Sequence, residues 1–462
     1  MWARVRFASM ARMVRRLARL VWVVGCLVAS TVTAERTLDH RVWLLGAMPD
    51  AGTVGVLRAV GVRGFCVPAG KVVIGDATAR FEAEPPSDLS ALGSTAVSAV
   101  VWVEGELRRS GDPGRFVVQF GAVEGRLPGN GSLILVAKRY GEGLPEFAMG
   151  VAERLHRPVE LALPASDLAA HVPASGWKGV KLLAFAFGNP PALGLPASTV
   201  QDDRLALEGL DFKSVPYRVA IVVAPVATPA PGPGGASLAI LTRSGVSAYQ
   251  PGSRGDVFVL ERSLDWGGIV LSPHQRVEVE AFDTARYDRD LALTLRPVRP
   301  GLAGWDTVGL PPPEPAIGLS REALVDYFRG GGPGPLPVIE TSWAGNKLLL
   351  TFSNPTPHGS ALSSTGNWLQ IQVVPGQVAD AQVGEFSGLE FGRMEGGALR
   401  STVLRDAAVL RFYISYLAPQ ARIGGASVSF LSRPDEPRGR WGVRLGDGRD
   451  VVGELKVSPR PL

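Results

Sequence analysis

The sequence is poor in cysteine, with 2 among 462 residues. Cys26 lies in an apolar segment near the N-terminus, and Cys66 lies in a second apolar run. If the N-terminal segment is removed, Cys66 remains alone and no intramolecular disulfide can form. No histidine motif accompanies Cys66, so we expect a buried, inert thiol rather than a nucleophile.

Histidine is also scarce, and its five copies occur singly. None stands four residues from another, the spacing that puts two metal ligands on one helix face. The glycines of Gly330–Gly334 follow a predicted helix and lie among prolines, whereas a phosphate-binding loop needs a strand before it and a helix after it. The sequence therefore predicts no metal site and no cofactor.

The N-terminal segment has the three parts of a cleavable secretory leader. Six arginines and no acidic residue precede the apolar run Leu20–Val32, which at about a dozen residues is short for a membrane-spanning helix. The small residues of Val32–Ala34 suit signal peptidase. We therefore expect a leader over 1–34, no transmembrane helix after its removal, and a periplasmic or extracellular protein. The alternatives are an uncleaved anchor and lipidation at Cys26 of the lipobox-like Val23-Val24-Gly25-Cys26.

Removal of such a leader would also remove the basic excess of the chain. The full sequence has 48 Lys and Arg against 43 Asp and Glu. Without the 6 arginines of the leader, 42 basic residues face 43 acidic ones. The sequence pI of 9.3 is therefore no evidence for nucleic-acid binding, and no nucleic-acid partner is expected.

Segment 35–308 alternates short apolar runs with amphipathic stretches, the pattern of βα units. The predicted strands are Val42–Leu45, Gly64–Val67, Val97–Val103, Leu133–Val136, Val159–Leu163, Lys181–Phe187 and Tyr217–Val223. Predicted helices between them are Thr53–Val60, Leu144–Leu155 and Thr199–Leu210. Several of these strands are apolar throughout, so both faces of the sheet should be covered. We predict an α/β fold, a divergent (β/α)8 TIM-like barrel, with a doubly wound sheet as the alternative.

The later part of the chain is divided by regions rich in proline and glycine. Ala227–Ala236 should be a long loop or hinge, and the last barrel strand is expected among Ser237–Leu241, Asp256–Leu260 and Val277–Phe282. Region 309–337 should be a linker that contains one helix, Ser320–Phe328, with Ser320 as its cap.

Segment 338–462 changes periodicity and has no long helix. Its strand-like runs are Lys347–Phe352, Trp368–Val374, Val409–Ile414, Val428–Leu431 and Glu454–Val457. This pattern predicts a C-terminal antiparallel β-sandwich. Trp343, Trp368 and Trp441 of this segment would be able to stack on sugar rings if exposed, although core packing is the default for isolated tryptophans.

In a barrel, chemistry should lie at the carboxyl ends of the strands. Candidate catalytic carboxylates there are Glu104 and Glu106 after one predicted strand and Glu142 after the next. Glu104 and Glu142 would be able to supply the two carboxyl groups that a glycosidase needs, or all three would be solvated loop charges. Candidate ligand-binding residues at the same strand ends are Lys138, Arg139, Tyr140 and Asn189.

The order and spacing of several segments resemble a known family. The segments are Leu44-Leu45, Gly61-Val62-Arg63-Gly64-Phe65, Ala99–Gly105, Leu133–Tyr140, Leu144-Pro145-Glu146-Phe147 and Arg157–Pro164. Together they resemble the bacterial domain-of-unknown-function 3142 family, exported proteins with a glycosidase-like barrel, over Arg41–Val223. In that family the strand matching Leu133–Val136 commonly ends in paired aspartates, where this chain has Lys138-Arg139-Tyr140. The resemblance therefore implies a barrel retained as a scaffold or binding surface.

Three hypotheses about function follow. The first is an exported envelope protein that binds carbohydrate without catalysis or serves as a scaffold. The second is an active glycan hydrolase that uses Glu104 or Glu106 with a second carboxylate such as Asp265 or Asp283. The third is a structural or assembly protein of the envelope, which predicts a broad apolar patch on the sandwich.

Overall fold

The computed structural model describes most of the chain after the predicted leader. The described residues are 38–46, 48–75, 78–85, 88–105, 108, 111–228, 241–242, 245–251, 256–266, 269–311, 317–331, 335–363, 365–434 and 437–455. The predicted leader, the predicted loop beyond 228 and candidate Glu106 lie outside them. The described residues from His40 onward form one compact unit.

The elements follow one another in three groups. The first group is β1 (Asp39–Trp43), α1 (Ala51–Ala59), β2 (Gly64–Ile74), β3 (Ala79–Ala83), β4 (Ala96–Gly105), α2 (Pro113–Glu124), β5 (Leu133–Ala137), α3 (Gly143–Ala152), β6 (Val159–Pro164), α4 (Ala165–His171), β7 (Val180–Gly188), α5 (Val200–Lys213) and β8 (Tyr217–Val222). The second is β9 (Val226–Thr228), β10 (Ser247–Pro251), β11 (Asp256–Leu260), β12 (Leu264–Trp266), β13 (Ile269–Leu271), β14 (Arg276–Glu280), α6 (Thr284–Leu295), β15 (Leu302–Val308) and α7 (Arg321–Phe328). The third is β16 (Val338–Ala344), β17 (Lys347–Ser353), β18 (Trp368–Gln372), β19 (Val378–Gln382), β20 (Gly388–Glu395), β21 (Ala398–Ser401), β22 (Val409–Tyr413), β23 (Arg422–Phe430), β24 (Gly439–Arg444) and β25 (Asp450–Glu454).

Within the described residues, eight parallel strands close into a barrel. Their order is β1, β2, β4, β5, β6, β7, β8 and β15, and β15 pairs with both β8 and β1. β3 adds an antiparallel edge to β2. The predicted (β/α)8 fold is confirmed, and each of the seven predicted strands overlaps a barrel strand.

The prediction for the last barrel strand was wrong. β11 and β14 are strands as expected, but they pair with β9 and β10 in a four-stranded antiparallel sheet inserted after β8. The eighth barrel strand is β15. Its residues include buried Asp306 and Thr307, so it lacks the continuous apolar run that marks the other strands.

Side-chain caps fix where several helices begin. Thr199 and Asp202 form a capping box at α5, and Asp283 caps α6 by accepting the N–H of Arg286. Ser320 caps α7, as predicted. Each cap satisfies a backbone N–H group that the first helical turn leaves without a partner.

A buried ion cluster lies inside the barrel. Arg41 donates to Glu160 at 2.7 and 2.8 Å and to Asp306 at 3.0 and 2.8 Å. Arg218 donates to Asp306 at 2.9 and 2.7 Å, and the Trp43 indole N–H adds a bond of 2.8 Å. Burial opposes ionisation of Asp306, but the facing Arg218 and Arg41 outweigh it and lower its pKa to about 2. Two cations therefore balance two carboxylates away from water.

Apolar side chains fill the barrel above this cluster. The residues two positions after the four charged residues point to the same face of their strands. They are Trp43, Ala162, Ala220 and Val308. They belong to a core cluster that also contains Phe185, Val136 and Val222. Cys66 belongs to this cluster too, and burial raises the pKa of its thiol, as expected for an inert cysteine.

The C-terminal part is a β-sandwich, as predicted. One sheet has the order β16-β17-β23-β19 and the other β21-β20-β22-β18-β24-β25, all antiparallel. Phe352, Phe386, Phe412 and Trp441 lie in the core between them. In the described part of the chain, we find no helix with the length and hydrophobicity required to cross a bilayer.

Candidate ligand-binding site at the barrel mouth

Two cavities lie at the carboxyl ends of the barrel strands, on either side of the segment that follows β7. The first, of about 530 Å³, is lined by Glu104, Lys138 and Arg139 together with Gly194 and Leu195. Three sequence-predicted site residues are therefore brought together here. All three are exposed to solvent, and Glu104 is the carboxylate among the described lining residues.

The second cavity, of about 500 Å³, has walls from three stretches of the chain, within 187–203, 279–290 and 361–362. β7 and the residues after it contribute Phe187–Pro191, and α6 contributes Arg286 and Asp290. The inserted sheet contributes Val279–Ala281, and the loop before β18 contributes Leu362. Predicted ligand-binding residue Asn189 lies in this wall.

The end of β7 is held in an uncommon backbone conformation beside the second cavity. Phe187 has a φ of 62°, in the left-handed region that bulky residues rarely adopt. Its N–H donates to Asp203 at 2.6 Å, and the next N–H, of Gly188, donates to Asp290 at 3.1 Å. Two buried aspartates thus stabilise this strand end. Burial raises the pKa of Asp203, partly offset by the bond from Phe187.

Asn189 is almost completely buried, with 1% of its surface exposed. Its side-chain N–H groups donate to the Ala224 carbonyl at 2.6 Å and the Glu280 carbonyl at 3.3 Å. Its Oδ1 atom has no hydrogen-bond partner. A buried acceptor without a partner is rare and costly in folded proteins, and this atom has almost no surface open to solvent.

Arg286 crosses the same cavity. Its guanidinium donates to the carbonyls of Ala281 at 3.1 Å and Gly188 at 2.9 Å and pairs with Glu280 at 2.6 Å. Its Nε–H has no hydrogen-bond partner and lies 3.8 Å from a carboxylate oxygen of Asp290. The two unpaired atoms, Asn189 Oδ1 and Arg286 Nε, belong to lining residues of this cavity but are themselves closed to solvent.

Of the other described candidates, Glu142, Tyr140 and Asp265 line neither cavity, whereas Asp283 lines the second. Glu142 is exposed at the start of α3 and lines neither cavity, so the structure does not bring it together with Glu104. The Tyr140 ring stacks on the His171 ring with centroids 3.8 Å apart. The backbone N–H of Tyr140 donates to the Asp167 carboxylate. Asp283 does line the second cavity, and burial raises its pKa. Asp265 lies on β12 in the inserted region.

Asp203, Asp290 and Arg286 were missed as site residues, although the sequence carried a signal. Asp203 stands four residues before Leu207 on the buried stripe of α5, and Asp290 stands on the buried stripe of α6. A carboxylate on the apolar stripe of a helix needs a partner inside the protein. That partner, the end of β7, is not visible from sequence.

The three tryptophans considered for sugar stacking contact other side chains of the protein. Trp441 is 6% exposed and packs edge-on against Phe352, so core packing is confirmed for it. Trp368 lies beside the guanidinium groups of Arg411 and Arg440, at 5.2 and 5.7 Å. Trp343 lies 4.3 Å from that of Arg433.

Among the described residues, no group of three or more His, Cys, Asp or Glu side chains is arranged to hold a metal ion. The fold and the cavities define a (β/α)8-barrel protein with a polar recess at the mouth. No family model matches the chain, and no curated protein matches it.

Several solved structures resemble the fold at low identity. The spore cortex-lytic enzyme SleL of Bacillus megaterium is 12% identical, with 63% of this chain and 73% of that chain covered and a TM-score of 0.39. A family GH18 chitinase from Chromobacterium violaceum is 9% identical over 90% of this chain and 91% of that chain, with a TM-score of 0.35. A GH30 endoxylanase from Clostridium papyrosolvens is 8% identical over 85% and 96%, with a TM-score of 0.30. Similarities this distant carry no inference about activity.

Proposed function

We propose that this protein is an exported, non-catalytic carbohydrate-binding protein whose ligand lies across the barrel mouth. The observation that carries the proposal is that the carboxylates around the second cavity are engaged in contacts within the protein. Asp203 and Asp290 each accept a backbone N–H from the end of β7. Asp283 caps α6, and Glu280 pairs with Arg286. All four therefore already have structural partners.

Hydrolysis of a glycosidic bond requires two carboxyl groups that flank the bond and are free to exchange protons or attack. In the wall of the first cavity, Glu104 is the one carboxylate among the described residues, and the other charged residues are Lys138 and Arg139. A second carboxyl group for hydrolysis is therefore not among them. In the second cavity the carboxylates hold the protein together. This arrangement favours binding over bond cleavage.

The same walls suit a neutral ligand with many hydroxyl or amide groups. Both cavities have volumes within the range of small-ligand sites. Polar Asn189 and Arg286 line the second cavity together with apolar Pro190, Val279 and Leu362. Sugars present this mixture of polar edges and apolar faces.

Export and family membership are part of the proposal. The arginine-rich start and apolar run before Ala34 support removal of a leader and action outside the cytoplasm. The order of segments over Arg41–Val223 supports membership of the domain-of-unknown-function 3142 family. The Lys138-Arg139-Tyr140 sequence, where that family commonly has paired aspartates, agrees with a binding role.

An active glycan hydrolase is the second candidate, because burial raises the pKa of both Asp203 and Asp283 beside the second cavity. A carboxyl group with a raised pKa is a common feature of acid catalysts. Asp203 also holds the end of β7 by accepting the N–H of Phe187, so Asp283 is the one of the two that the test of catalysis changes.

The proposal is tested with the purified mature chain, residues 35–462, on a glycan array and in a reducing-end assay with the same glycans. We expect binding without turnover. A blank array would overturn carbohydrate binding. Turnover that is lost in Asp283→Asn or Glu104→Gln, but kept in Asp288→Asn on the exposed side of α6, would overturn the non-catalytic role.

A further inference from the structure

The first cavity has two cations in its wall that the protein itself does not neutralise. The charged residues among its described lining residues are Glu104, Lys138 and Arg139. Neither Lys138 nor Arg139 forms an ion pair or a side-chain hydrogen bond with another residue in the described part of the chain. Both side chains are exposed to solvent, so a ligand in the cavity is able to reach them.

The carboxylate in this wall has a cation outside the cavity. Lys71 lies on β2, the strand that pairs with β4 beside Glu104. A hydrogen bond to Glu82, 3.2 Å away, and after it the charges of Glu82 and Glu104 raise the pKa of Lys71. Because Lys71 contributes to the balance of Glu104, the positive charge of Lys138 and Arg139 remains in excess in the first cavity.

A glycine leaves room for the Lys138 ammonium group. Gly194 ends the short 3-10 turn after β7, and its φ is 70°. A Cβ atom on this residue would stand 3.2 Å from Lys138 Nζ. The ammonium group therefore lies against the segment that separates the two cavities. Leu195 and Pro196 of the same segment add apolar surface to the first cavity.

The second cavity has the opposite charge. The charged residues in its wall are four carboxylates and two arginines, namely Asp203, Glu280, Asp283, Asp290, Arg286 and Arg289. An anionic group there would meet a net negative charge in a partly buried setting. Neutral sugar units therefore suit the second cavity, whereas the first cavity is the one whose charge suits an anion.

We infer that the bound glycan carries one anionic group, a carboxylate or a sulfate, and that this group binds in the first cavity beside Lys138 and Arg139. The inference rests on the proposed carbohydrate-binding function and adds the class of sugar. Ammonium and guanidinium groups form charge-assisted hydrogen bonds with both anions. The apolar surface of Leu195 and Pro196 suits the face of the sugar ring that carries the anion.

The test is calorimetric titration of the mature chain at low salt with two sets of oligosaccharides. The first set carries a single hexuronic acid on a neutral chain, each as the free acid and as its methyl ester. The second set carries a single sulfate and is paired with its unsulfated forms. We expect an anionic form to bind at least about fivefold more tightly than its neutral counterpart, because two exposed cations each contribute a few-fold.

The set in which this advantage occurs assigns the anion, a carboxylate for the first and a sulfate for the second. The advantage should shrink at high salt, because exposed charges are screened.

Two double variants remove the same number of charges from different places. Lys138→Gln with Arg139→Gln removes both cations of the first cavity. Arg63→Gln with Lys178→Gln removes two exposed cations that precede β2 and β7, at the end of the barrel opposite the mouth, and that line neither cavity. We expect the first double variant to bind anionic and neutral forms within about twofold of each other, and the second to keep the preference.

The outcomes separate this inference from the proposed function. Equal affinity for anionic and neutral forms in both sets would overturn the inference and leave carbohydrate binding standing. A preference that survives in Lys138→Gln with Arg139→Gln, with its fold verified by circular dichroism, would place the anion outside the first cavity and overturn the inference. An equal loss in both double variants would do the same. No binding of any glycan on the array or in the titration would overturn the proposed function itself.

Discussion

At the scale of single residues, the ion cluster inside the barrel is the most demanding feature of the chain. Four charged side chains, Arg41, Glu160, Arg218 and Asp306, are each at most 7% exposed. Such a cluster is stable only while every charge keeps its partners, because an unpaired buried charge is very costly.

We therefore expect Asp306→Asn to lower the free energy of unfolding by about 3 to 5 kcal/mol, since Arg41 and Arg218 both lose a carboxylate. Urea unfolding of the purified variant measures this change. Glu340→Gln is the control, because its pair with Arg422 is 54% and 66% exposed and should contribute less than about 1 kcal/mol. Similar costs for the two substitutions would contradict a buried cluster.

His40 gives a second prediction, on pH dependence. Its ring stacks on Trp305 with centroids 4.6 Å apart, and burial lowers its pKa to about 3. Below about pH 6.5 His40 is therefore protonated in the unfolded chain but stays neutral in the folded chain. The free energy of unfolding consequently falls as the pH falls. Between about pH 7 and about pH 5 this residue should cost about 2 kcal/mol.

Urea unfolding of the parent chain and of His40→Asn at these two pH values measures that contribution. The variant carries no titrating group at this position, so its loss on acidification should be smaller by that amount. If both proteins lose the same stability between the two pH values, His40 is not held neutral in the fold.

At the scale of elements, the end of α5 carries a conformational cost. Ser214 follows the helix with φ 57° and ψ 25°, the left-handed conformation that glycine adopts without strain. Ser214→Gly should raise the free energy of unfolding by about 0.5 to 1 kcal/mol. Thermal unfolding measures the change. Ala174→Gly, at an exposed residue outside the positive-φ set, should lower stability instead, and a gain there would contradict the conformational explanation.

The sequence predicts barrel strands well where they are apolar throughout, as in β5 and β8. It fails for β15, because Asp306 and Thr307 are buried through partners that stand hundreds of residues away. Periodicity identified β11 and β14 as strands but not their sheet. Burial alternates along β14, which is typical of an antiparallel strand with one solvent-facing side. The alternation of charged residues and valine in Arg276–Glu280 is visible in the sequence.

The candidate site was predicted in part for the same reason. Glu104, Lys138, Arg139 and Asn189 lie at the carboxyl ends of parallel strands, and these ends must meet at one edge of the barrel. The sequence does not reveal that Asn189 Oδ1 lacks a partner. That property depends on a cavity built from three separate parts of the chain.

At the scale of the whole molecule, the barrel, the inserted sheet and the sandwich region share contacts around the mouth. Tyr416, between β22 and β23, packs in one core cluster with Phe258 and Leu260 of the inserted sheet. Its hydroxyl accepts the Gly318 N–H at 2.9 Å. Leu362, from the loop before β18, completes the wall of the second cavity. The second cavity is therefore built by the barrel, the inserted sheet and the sandwich region together.

The central claim is that the mouth binds a glycan and leaves it intact. The most direct measurement incubates the mature chain with a glycan that it binds, in water labelled with heavy oxygen, and analyses the recovered glycan by mass spectrometry. We predict the intact glycan alone, because the mouth carboxylates of the second cavity hold the fold rather than attack a bond. Shorter products that carry heavy oxygen at a new reducing end, absent in Asp283→Asn, would contradict the claim.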